Sequence, residues 1–425
     1  MTPLRHPAAQ ALERIAILDA LRGAAILLIL FVNIGEMGAS ETVRAGLDWS
    51  SLDATVFTIF RLFLFGTQRG LLQLLFGAGI VILAGRRSPR LFYRRSLLLA
   101  GFGLINVFAL LWEGDVLVIY GLVAVFVFPL HRLRARWLLL LVPLFACWST
   151  WRAVPYYEDQ HRLAAAISVA QEHQRGRMPL TSADRQALND WRAHRTDGPL
   201  SPAIVKDRAD ELAAREGGVL PYARLHWHRW LSEAHSSFAL VVLGEAAATM
   251  ILGMALWKLG IIQGQRSRSF YMALMLAGYA AGIAARGCGL PALFSFRPDP
   301  SPGPLLDEWG RLAITLGHLA AVNLLAKTGC ALRPLQAAGR GAFSIYLLQS
   351  AICLWAVFAP WGPPLWNRLS YPGLSGVAIV IDGALLLAAT WWFRRFAIGP
   401  LEWLWRSLAY GARQPWRAAR PVLPA

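Results

Sequence analysis

Long apolar runs, separated by short arginine-rich clusters, dominate the hydrophobic pattern of this chain. A helix needs roughly 20 apolar residues to cross the hydrocarbon core of a bilayer. On that measure the pattern predicts about ten spans, at about 17–36, 70–85, 96–113, 115–130, 137–154, 237–257, 270–286, 311–326, 342–359 and 375–393. The stretch SLDATVFTIFRLFLFGTQRG (51–70) reads either as an interfacial helix or as the first half of a broken second span, kinked around 66–70. The expected fold is all-α: a polytopic integral membrane helical bundle. Its parts are an N-terminal transmembrane bundle (1–154), a small extracytoplasmic helical cap (155–236) and a C-terminal transmembrane domain (237–425).

The middle segment departs from the pattern. It carries helix-forming runs such as DRQALNDWRAH and KDRADELAARE, and two or three amphipathic pieces are predicted there. Its end, YARLHWHRWLSEAH, mixes Trp, Arg and His as an interfacial helix does. Six of the nine His residues lie between His161 and His235, yet His226 and His228 leave a helix in different directions. With no carboxylate or Cys completing a ligand set, that region reads as a solvated face, and no metal is expected.

Composition supports membrane insertion: 56% of residues are hydrophobic, 18 are Trp and 16% are charged. A formal charge of +17 would suggest nucleic acid in a soluble chain. Here the basic residues sit in short loops, where the positive-inside rule and anionic lipid head groups account for them, so no nucleic-acid partner is expected. Arg90, Arg94 and Arg95 precede span three; Arg132, Arg134 and Arg136 precede span five; Lys258, Arg266 and Arg268 follow span six; Lys327, Arg333 and Arg340 follow span eight; Arg394, Arg395 and Arg406 follow span ten. The alternate loops are poor in Lys and Arg. Both termini are therefore predicted to be cytoplasmic, in a bacterial inner membrane, with the first span a retained signal anchor. Cys147, Cys288, Cys330 and Cys353 lack zinc or redox spacing and read as packing residues.

Polar residues inside the spans carry the chemistry, because ionisable groups are expensive in hydrocarbon. Asp19, Arg22 and Asn33 fall on one side of the first helix. The Asp19–Arg22 pair either locks helix packing or presents Arg22 to an anionic ligand. Gln68 and Arg69 are further candidate binding residues at the second span. In ALLWEGDVLVIYG (109–121), Asp115 either caps span four or serves as an acid or base. Arg311, Thr315 and His318 share a face of span eight. His318 is a packing residue or a general base that Glu245 would orient. Tyr346, Gln349 and Ser350 form a stripe on span nine, either interhelical glue or a ligand contact.

LDALRG, LLFGAGIVILAGRR and WEGDVLVIYG resemble the N-terminal part of the YeiB-like membrane proteins. LGMALWKLGI, GRGAFSIYLLQS and RRFAIGPLEWLWRSLAYG resemble that family's C-terminal domain of unknown function 418. The opening motif is also similar to transmembrane acyltransferases of the heparan glucosaminide N-acetyltransferase type. That resemblance implies transfer of an acyl group from cytoplasmic acyl-CoA to an extracytoplasmic acceptor such as a sugar. Those relatives carry a His shortly before a Trp in the loop after the first span; here RAGLDWSSLDA has Asp48 before Trp49. The expected catalytic candidates are His318, Asp115 and Glu245, and the expected partners are membrane lipids and a small-molecule substrate. A solute transporter built on the same buried charges is the alternative, although no inverted repeat is visible. Glycine pairs at 66–70 and 278–282 permit close helix contacts within one chain or in a homo-oligomer.

Overall fold

The computed structural model describes residues 7–39, 52–85, 88–194, 202–291, 300–329 and 332–417. The stretch holding Asp48 and Trp49, and Cys330, lie outside them. Each of the ten predicted spans falls on a helix. By length and composition, six helices among the described residues can cross a membrane, or seven if one bent pair counts as a span. The difference from ten is physical. Helix α5 (Leu117–Val127, extended by a 3-10 turn to Arg132) is short. Helices α11 (Arg268–Gly287) and α12 (Gly303–Lys327) are less apolar and pack tightly on one another, with Gly278 against Ala313 and Gly317. The 278–282 glycine pair therefore serves a contact within the chain.

Helix α1 (Pro7–Gly38) runs through the centre, with Ala20, Leu21, Ala25 and Ile29 fully buried. The second span is broken. Helix α2 (Leu52–Ile59) passes into a π turn (Phe60–Leu64), Gly66 adopts φ 76°, and α3 (Thr67–Ala84) follows. Glycine occupies that left-handed position without a Cβ penalty. Helix α4 (Pro89–Phe108) returns to the tight hairpin before α5.

Helix α6 (Ala135–Arg175) does not stop at 154 but continues for 41 residues, about 60 Å at 1.5 Å per residue. The domain boundary drawn at 154 thus falls inside one helix. Its charged stretch stays helical through the pairs of Arg162 with Glu158 and Asp159, while Ile167 and Ala170 bury an apolar side. Helices α7 (Ser182–His194), α8 (Pro202–Glu216) and α9 (Val219–Ala234) complete the cap. It docks on the bundle where Trp227 Nε1 donates to the Phe108 carbonyl (3.0 Å) and Arg215 to the Phe358 carbonyl (2.8 Å). His226 and Arg229 also pair with Glu113 of the hairpin.

The remainder comprises α10 (Ser237–Lys258), α13 (Arg333–Arg340), α14 (Ala342–Ile352, with a π turn to Val357), α15 (Tyr371–Trp392) and α16 (Pro400–Tyr410). Helices α13 and α14 meet at 78°. Where α1 crosses α13 the backbones touch: a Cβ on Gly339 would lie 1.7 Å from the Asp19 carbonyl oxygen, and one on Gly23 would lie 1.9 Å from that of Leu335. Only paired glycines permit this approach.

Candidate functional site

Between α1, α3, α4, α5, α14 and α16 lies a cavity of about 250 Å³. Its long wall is the stripe Leu72, Leu75, Phe76, Gly79 and Leu83 of α3, faced by Ile26, Leu99, Leu117 and Phe343. From Leu72 to Leu83 the stripe runs about 16 Å along its helix. One end is cationic, lined by Arg22, Arg95, Arg340 and Arg406. Arg22 Nη1 donates to Asp19 at 2.7 Å, so the expected pair forms and its arginine also faces open space. Arg95 lies 4.4 Å over the Trp405 ring, whose Nε1 donates to the Arg95 carbonyl. Arg340 donates to the Ala397 carbonyl.

Glu402 shapes this end. The bend at Gly341 leaves the first N–H groups of α14 without helical partners. Glu402 accepts from the N–H groups of Phe343 (2.8 Å) and Ser344 (3.2 Å), and the Ser344 hydroxyl donates to it at 2.6 Å. A carboxylate at a helix N-terminus is favoured by the dipole as well. The amphipathic α16 is thereby fastened across the cavity.

At the far end stand Tyr120, Val116 and Tyr346. The Val116 N–H donates to the Tyr346 hydroxyl at 3.3 Å. One residue earlier, buried Asp115 accepts from the Val118 N–H (2.9 Å) and from Asn106 Nδ2 (2.8 Å). Asp115 therefore caps α5, and it does so beside the inner end of the cavity.

The other sequence candidates assemble elsewhere. Glu245 of α10 meets Arg69 (3.4 Å), Gln73 (3.3 Å) and Arg311 (3.7 Å). Arg311 is also gripped by both oxygens of Glu308 and donates to Thr249 at 2.8 Å. Tyr120 stands between this cluster and the cavity, its hydroxyl donating to the Arg69 carbonyl. Glu245 does not orient His318. The imidazole spans the broken second helix instead, with Nε2 at 2.8 Å from the Phe63 carbonyl and Nδ1 at 3.0 Å from the Tyr279 hydroxyl. A carbonyl only accepts, so Nε2 carries the proton and Nδ1 accepts from Tyr279. Arg286 takes the Arg61, Leu62 and Phe65 carbonyls of the same break. These two side chains answer the backbone groups that the π turn releases. Gln68 is buried beside Arg69, and Asn33 is half-buried away from the cavity.

Two features escaped the sequence reading. Asp382 on α15 accepts from Gln349 Nε2 at 2.8 Å; the signal was a lone acid in the run IVIDGALLL. Arg95, Arg340 and Arg406 read as loop charges, whereas they converge with Arg22.

Residues 256–412 match the family described as "Protein of unknown function (DUF418)". The chain is 27% identical to "Uncharacterized protein YxaH" of Bacillus subtilis (strain 168), over 95% of this chain and 96% of that protein. It is likewise 27% identical to "Uncharacterized protein YeiB" of Escherichia coli (strain K12), over 95% of this chain and 98% of the relative. This is a YeiB-like DUF418 protein. An "Uncharacterized 39.9 kDa protein in amylase 3'region" of Bacillus acidopullulyticus is 31% identical over a shorter stretch, 27% of this chain and 30% of that one. No solved structure matches. In this DUF418 protein the matched stretch contributes Arg340, Tyr346, Glu402, Trp405 and Arg406 to the cavity. Arg22, Arg95 and the α3 stripe come from outside it, so the site belongs to the whole bundle. An apolar slot with guanidinium groups at one mouth suits an elongated amphiphile bearing an anionic head.

Proposed function

We propose that this membrane protein is an acyltransferase that binds acyl-CoA in the cavity and passes the acyl group to a small hydroxyl-bearing acceptor such as a sugar. The observation that carries the reading is the cavity's polarity: four arginines at one mouth, an apolar wall, and the Asp115–Tyr346 turn at the inner end. The arginines hold the donor's phosphates through charge-assisted hydrogen bonds. The pantetheine arm lies along α3 and brings the thioester carbonyl toward Tyr346. The acceptor hydroxyl attacks that carbonyl, Asp115 takes its proton, and the CoA thiolate leaves. The arginine mouth then faces the cytoplasm, as the loop charges require, and the cap lies on the acceptor side.

Binding of acetyl-CoA by the purified chain in detergent tests this reading. Arg22→Ala is expected to weaken binding about tenfold, the value of one charge-assisted hydrogen bond. Absence of both binding and acyl-CoA hydrolysis, alongside a measurable solute flux, overturns it. One observation favours that second, transporter reading: two interrupted helices, at 60–66 and at 341, accompany the buried Glu245–Arg311 cluster. It requires flux in proteoliposomes that Glu245→Gln abolishes.

A further inference from the structure

Asp382 and Gln349 form a pair that lacks one hydrogen atom. Gln349 Nε2 donates to Asp382 Oδ1 at 2.8 Å and to the Ile26 carbonyl at 3.1 Å. Both residues are buried, at 6% and 2% exposure. Yet Asp382 Oδ2 and Gln349 Oε1 are each buried without a hydrogen-bond partner. Two acceptor oxygens, one on each member of a bonded pair, cannot satisfy each other while the acid is ionised.

The charged groups on the packed neighbours do not rescue a carboxylate. On α1, Asp19 pairs with Arg22, and Glu36 is exposed. On α13, Arg340 is engaged with the Ala397 carbonyl and Arg333 is exposed. On α2, Asp53 accepts from the Tyr371 N–H at the start of α15. The titratable group beside Asp382 is the buried thiol of Cys353. Among the described residues no cation lies within ion-pair distance of Asp382. A carboxylate buried without a cation is strongly disfavoured, and such a group neutralises.

We propose that Asp382 is a proton-binding site of the bundle, holding one proton on Oδ2 that is donated to Gln349 Oε1 and closes a two-bond acid–amide ring. A single proton shared between the two orphaned oxygens satisfies both. The ring joins α14 to α15, and the second bond of Gln349 ties it to Ile26, which lines the cavity. Loss of the proton sets two bare oxygens against each other at that wall.

The test uses the full chain reconstituted in lipid at neutral pH and reads the proton directly, whatever the cavity binds. The infrared difference spectrum of wild type minus Asp382→Asn is expected to contain a carboxylic-acid C=O band that shifts in D2O. Asn restores both bonds of the ring, so its Tm stays near that of wild type. A difference confined to carboxylate stretches overturns the proposal. Should Asp382→Asn not fold, Gln349→Leu is the second probe. It should keep the acid band but move it to higher frequency, with a Tm fall of about 2–6 °C for the unmatched acid. An unmoved band overturns the ring.

Discussion

Arg69 and Arg311 face Glu245 and Glu308, two guanidinium groups to two carboxylates, and the four hold each other inside the bundle. At the cavity mouth Arg22, Arg95, Arg340 and Arg406 stand together, and the carboxylates beside them among the described residues are Asp19 and Glu402. Glu402 is already committed to the α14 N-terminus. The first group is closed in charge, and Arg311 is hydrogen-bonded to Glu308 and Thr249, as a structural network must be to survive burial. The second carries an excess of positive charge next to empty space. Residue types are similar in both places, but Arg311 and Glu245 are buried whereas Arg340 and Arg406 are exposed; burial and the balance of partners together separate a packing device from a binding surface.

The contrast can be broken at its strongest point first. Arg311→Leu strips Glu245 and Glu308 of their shared partner, and breaking a buried pair in this way costs about 3–5 kcal/mol. A large Tm loss in thermal unfolding of the detergent-solubilised chain is expected, whether or not ligand is present. Glu402→Ala removes the acceptor for two backbone N–H groups and the Ser344 hydroxyl, at about 1–3 kcal/mol. Protease accessibility of the 400–410 helix should rise with it. Arg340→Ala, by contrast, should leave Tm within a degree or so and reduce acyl-CoA affinity about tenfold by titration. Equal Tm losses for Arg311→Leu and Arg340→Ala would erase the distinction between the two groups.

The smallest effect belongs to the cap, outside both clusters. Asp184 is held down to about 2 by its hydrogen bond with His173 and by those from the Thr181 N–H and hydroxyl. Because its folded value lies below its unfolded one, its contribution is complete above about pH 4 and is lost as pH falls through about 2. Hydrogen exchange in residues 173–190 should accelerate over that window in wild type and be flatter in Asp184→Asn.

Much of this arrangement is legible in the chain. Apolar runs and arginine clusters mark the helices, and WEGDV announces the capped hairpin. TSAD before α7 is a capping box in which the Thr181 hydroxyl accepts from the Asp184 N–H. What the chain conceals is lateral. Arg311, Thr315 and His318 do share a face, but which neighbour each meets depends on where α2 breaks, and the break turns His318 to Phe63 while Arg311 reaches Glu245. The convergence of Arg22 with Arg95, Arg340 and Arg406 unites positions hundreds of residues apart. Helix period says nothing about such distances. Asp382 was visible as a lone acid, yet its meaning depends on the orphaned oxygen of Gln349.

The seating of Gly339 on α1 has a consequence for how this domain is inherited. Gly339 lies within the DUF418 match, while the backbone it rests on, Asp19 to Gly23, belongs to the first helix of the chain. A polypeptide cut to residues 256–412 would lose the surface against which that glycine is fitted. Gene fusions or truncations that separate the two halves must therefore supply another helix bare of side chains at the same register. The stretch that matches DUF418 is, mechanically, half of a joint.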